Sequence, residues 1–103
     1  MDINEILADM LSAVKASVTD DWKQAKETAS EFLQRRKERL ELLADMRIQG
    51  EITQEFFEKR LKDEADILKA ELHSVAILTQ AAAQRAANAA IDVLRNAVSA
   101  LLP

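Results

Sequence analysis

Residues 77–102 read ILTQAAAQRAANAAIDVLRNAVSALL, and whatever covers this segment decides the architecture. Its only charges are Arg85, Asp92 and Arg95. It is too polar to cross a membrane and too apolar to face water on all sides. On a helix, Gln80, Gln84, Asn88, Asp92 and Asn96 recur every four residues and form one narrow polar stripe. The rest of the circumference is apolar, and a helix of that kind needs several neighbours.

Those neighbours come from the same chain or from a second copy. The chain has 103 residues, 49% hydrophobic and 31% charged, with one glycine and one proline. That is the composition of a single, foldable, helical domain spanning 1–103. The punctuation lies in RIQGEITQEFF, residues 47–57. Gly50 suits the left-handed position that closes a helix. Thr53 suits an N-cap, with Glu55 in the first turn near the positive end of the dipole. Ile52 and Phe57 flank that cap at the spacing of a hydrophobic staple. This predicts a helical arm over 2–49, a turn at 49–53 and a second arm over 53–102, with no breaker before Pro103.

In the second arm Phe57, Leu61, Ala65, Leu68, Leu72, Ala76, Thr79, Ala83, Ala87, Ala90, Leu94, Val98 and Leu101 follow steps of four, four and three. Only Thr79 among them is polar. An eleven-residue repeat predicts a nearly straight or slightly right-handed packing seam, not a left-handed heptad coil. In the first arm Ile3, Leu7, Met10, Val14, Val18, Trp22, Ala25, Ala29, Phe32, Arg36, Leu40 and Leu43 share one face. A break near Thr19 is left open, since Thr19 can cap a helix with Asp20 and Asp21 in its first turn. Folding at Gly50 sets Leu40 opposite Leu61 and the basic RRKER at 35–39 opposite the acidic DEAD at 63–66. The expected fold is therefore all-α, a long antiparallel αα-hairpin.

A hairpin covers only one seam of residues 75–102. If about 1,000 Å² stayed in water, on the order of 25 kcal/mol of burial would go unrealised at roughly 25 cal/mol per Å². The economical remedy is a second chain, giving an antiparallel homodimeric four-helix bundle or a higher oligomer. Leu72, Ala76, Ala83, Ala87, Ala90, Leu94 and Val98 are then expected at the self-association interface. The half near the turn is expected to be a wet rim, laced by the i,i+4 pairs Glu31–Arg35, Glu55–Lys59, Glu58–Lys62 and Arg60–Glu64.

No constellation for chemistry emerges. There is no cysteine, no glycine-rich phosphate loop and no nucleophile elbow. His73 stands two residues from Glu71, whereas di-iron bundles use Glu-x-x-His on one face; it reads as a surface histidine. The QRRKER run at 34–39 is ringed by Glu31, Glu38 and Glu41 and reads as a solvated, salt-bridged face. Trp22 reads as core packing beside small residues. No catalytic, metal or cofactor residue is assigned. A net charge of −4 argues against nucleic acid as a partner. The opening residues lack the basic and apolar regions of a secretory signal, and no membrane span is expected, so cytoplasm is the default.

Residues 40–61, LELLADMRIQGEITQEFFEKRL, resemble the helical hairpins of bacterial short C-terminal oligomerisation modules. The resemblance covers about a fifth of the chain, and the arms here are longer. It implies oligomerisation. The function expected from all this is non-enzymatic: self-assembly or protein–protein interaction, as an adaptor, scaffold or assembly factor. The alternative is an amphipathic protein of lipid surfaces. The few basic residues in 74–103 weigh against anionic lipid.

Overall fold

The computed structural model describes residues 1–103 and is wholly helical. Helix α1 spans Ile3–Ser17, a 3₁₀ turn Thr19–Asp21, α2 Trp22–Ile48, α3 Gln54–Ser74 and α4 Gln80–Ser99. Four helices therefore stand where two long arms are expected. The longest dimension is 39 Å, whereas unbroken arms would reach about 70 Å.

The turn at 49–53 is built from local hydrogen bonds. Gly50 takes φ +78°, and its N–H donates to the Arg47 carbonyl at 3.1 Å. The Glu51 N–H donates to the Met46 carbonyl at 2.8 Å. Together these bonds make a Schellman closure. The Thr53 hydroxyl accepts from the Phe56 N–H at 3.1 Å and caps α3. Ile52 is half-buried against the core, of which Phe57 is a fully buried member.

Both arms are broken. At Val18 the first helix stops, and α2 starts at Trp22 with no side-chain cap, so Thr19 sits in the 3₁₀ turn instead of capping. The second arm breaks at 75–79, which corrects the continuous helix expected over 53–102. Ile77 adopts φ +59°, and the Leu78 N–H reaches back to the Leu72 carbonyl at 3.0 Å. Gln24 of α2 donates to the Ala76 carbonyl at 2.7 Å and holds the loop. The Thr79 hydroxyl then accepts from the Ala82 N–H at 3.1 Å and starts α4. A β-branched residue in the left-handed region costs about 1–2 kcal/mol. Turning α4 back onto the bundle outweighs that easily, since about 200 Å² of apolar burial contributes about 5 kcal/mol.

The helices form a ring in which each contacts the next and α4 closes on α1. Pairs along α2 and α3 run in opposite order, Arg47 with Gln54 and Arg36 with Glu64. Ile3, Ile6, Leu7, Met10 and Val14 of α1 are buried in one continuous core with Ala83, Ala87, Ala90 and Leu94 of α4. The alanine-rich segment is thus covered by α1 on one side and α3 on the other. Alanine suits this position because it lets helix axes approach closely. Leu72, Ala76, Ala83, Ala87, Ala90, Leu94 and Val98, expected at a self-association interface, are all buried inside a single chain. The expected dimer seam is the core of one molecule, because the break at 18–21 lets α1 occupy the place reserved for a second copy.

Candidate functional site

With that core closed, the apolar side chains left in water stand out. Leu42 of α2 is 59% exposed and Phe56 of α3 is 45% exposed. Both line an open groove of about 410 Å³ between the two helices, with Met46 and Ile67 half-buried along it. Leu42–Leu43 and Phe56–Phe57 are adjacent apolar pairs, and neighbours on a helix lie about 100° apart. Leu43 and Phe57 turn inward and leave Leu42 and Phe56 outside, whereas the Phe32–Leu33 doublet of α2 is buried at both positions.

The groove is also charged. Arg36, Arg39 and Arg60 line it, against Asp63 and Glu64. Glu64 is 2% exposed, so its carboxylate requires compensation. Arg36 donates from Nε at 2.9 Å and from Nη2 at 2.6 Å, and Arg39 Nε stands at 3.1 Å. The hydrogen bond to Glu64 raises the Arg36 pKa above the ordinary arginine value, against the opposing effect of burial. Arg36 is thus committed to the fold. Arg39, mostly exposed, keeps free donors. Arg60 lies over the Phe56 ring at 5.2 Å and pairs loosely with Asp63 at 3.4 Å. Its Nε is shielded from solvent and has no acceptor.

The other singled-out residues fall elsewhere. His73 is exposed, and its Nδ1–H donates to the Leu78 carbonyl at 2.8 Å, bracing the 75–79 loop. Trp22 is half-buried against the core with Lys15 6.0 Å from its ring centre. Within QRRKER, Arg35 pairs with Glu71 and Arg36 and Arg39 with Glu64, so that run binds α2 to α3. Of the expected i,i+4 pairs only Glu55–Lys59 forms, at 3.8 Å; Glu58 goes to Arg95 and Lys62 to Asp66. The Arg95 pKa is likewise raised, first by its hydrogen bond to Glu58. No group of three or more potential metal ligands converges, and no helix is long and apolar enough to cross a membrane. Comparison with protein-family models, with curated proteins and with solved structures finds no match for this chain.

Proposed function

We propose that this chain is a non-enzymatic protein-interaction module, of an adaptor, scaffold or assembly-factor kind, that engages its partner through the α2/α3 groove. One observation carries the reading: Leu42 and Phe56 remain exposed along an open groove while the chain already buries a core of 28 hydrophobic residues. Exposed apolar surface gathered in a groove marks an interaction site far better than the same residues scattered singly. Phe56 supplies an aromatic anchor, and Met46 a side chain that adapts to what it meets. Self-association is the second reading, now carried by Leu42 and Phe56 instead of the alanine stripe.

A photo-crosslinking residue placed at Leu42, with Asn88 on the polar stripe of α4 as control, tests this in cells. The expected result is an adduct with another protein from position 42, absent from position 88 and lost in Phe56→Glu. Equal labelling from both positions overturns the reading. Adducts of the chain with itself alone move it to self-association.

A further inference from the structure

Resting on that reading of the groove, we infer that its occupant is about three turns of an amphipathic helix whose apolar face is edged by carboxylates. Length sets the first part. From Arg36 to Met46 is about 15 Å of helix rise and from Phe56 to Ile67 about 16 Å, which three turns of a helix match. Leu42 and Met46 form one wall, Phe56 and Ile67 the other. Two side-by-side helices present a groove that seats a third through residues spaced i, i+3 or i+4, and i+7.

Charge sets the second part. The chain carries a net −4, yet the groove is lined by three arginines against two carboxylates. Glu64 is buried and shared by Arg36 and Arg39, so it offers nothing to a ligand. Arg39 is 62% exposed and uses only its Nε on Glu64, leaving its terminal nitrogens open. Arg60 is 42% exposed and holds its guanidinium over Phe56, with one terminal nitrogen 3.4 Å from Asp63 and the other open. Two cations thus flank the apolar floor with unused donors, and a carboxylate is the group that matches a guanidinium fork. A lysine-edged helix would meet like charge there, which selects against it.

The test uses the full chain with ¹³C-methyl methionine. Met46 reports on the groove, and fully buried Met10 reports on the fold. The probes are three helix-stapled peptides of about twelve residues with the same leucine face, edged by glutamate, glutamine or lysine. The glutamate peptide should shift Met46 and bind about tenfold or more tightly than the lysine peptide, a difference of about 1.4 kcal/mol. Arg39→Gln and Arg60→Gln should each cut that preference to about threefold or less while the Met10 signal stays put. Equal binding of all three peptides overturns the carboxylate inference and leaves the groove reading standing. A Met46 response to decanoate and to no peptide assigns the groove to an acyl carboxylate and overturns the helix. No response to any probe, with no adduct from position 42, overturns both.

Discussion

Arg36 holds the buried carboxylate of Glu64 with two hydrogen bonds, at 2.9 Å and 2.6 Å, across 28 residues of sequence. The pair ties α2 to α3 where the groove begins. Arg36→Ala strands a carboxylate that is 2% exposed. Breaking a buried pair from one side costs about 3–5 kcal/mol. Arg39 stays on Glu64, so about 3 kcal/mol is expected, a drop in thermal midpoint on the order of 15 °C. Arg36→Met with Glu64→Leu should recover most of that loss, because no charge is left to compensate. Urea titrations of the two variants check both values. With the Arg36 pKa raised, its contribution is fully present below the ordinary arginine pKa and is lost only as pH climbs through the raised one. On the arginine side, the stability of this pair should therefore stay flat from neutral to moderately alkaline pH.

Ile77 sits in the left-handed region while 73% exposed. Its side chain gives back little burial for that strain. Ile77→Asn keeps the loop and relieves the Cβ clash, so it should stabilise by about 1 kcal/mol. A midpoint in urea that is unchanged or lower would mean that Ile77 is held by contacts stronger than its exposure indicates.

Thr53 and Thr79 each cap a helix with a side-chain hydrogen bond of 3.1 Å. Alanine at either position should cost about 1 kcal/mol. Hydrogen exchange separates the two. Thr79→Ala should speed exchange at Ala82 and the first turn of α4, and Thr53→Ala at Phe56 and the first turn of α3.

Ala87 is fully buried between neighbouring helices. Ala87→Glu forces a charge into that contact and should abolish cooperative unfolding by circular dichroism, to the same degree at every protein concentration. A loss that dilution deepens would place Ala87 at a contact between chains. Arg85→Ala, on the exposed side of the same helix, should shift stability by less than about 0.5 kcal/mol.

Several features of this protein follow from sequence alone because they depend on residues a few positions apart. Gly50, Thr53, Ile52 and Phe57 close one helix and open the next within eight residues, so that turn is legible. The phase of burial is legible too, with Leu68, Leu72, Ala83, Ala87, Ala90 and Leu94 inside and Gln80 and Asn88 outside; Gln84 is half-buried. The groove is not legible in this way: Leu42–Leu43 is split between solvent and core, while Phe32–Leu33 on the same helix is buried at both positions. Other features were decided only by the tertiary structure. Residues 75–79 carry no glycine or proline, and the apolar phase runs straight through Thr79, so nothing local announces that it is a cap. Glu58 meets Arg95 and not Lys62 because α4 folds back beside α3. What covers residues 80–99 is likewise non-local: a hydrophobic pattern states that a face must be buried but not against what. Helix α1 and a second chain satisfy the same alanine face equally well in sequence. The break at 18–21 brings α1 there without the translational and rotational cost of association, and that decides the neighbour.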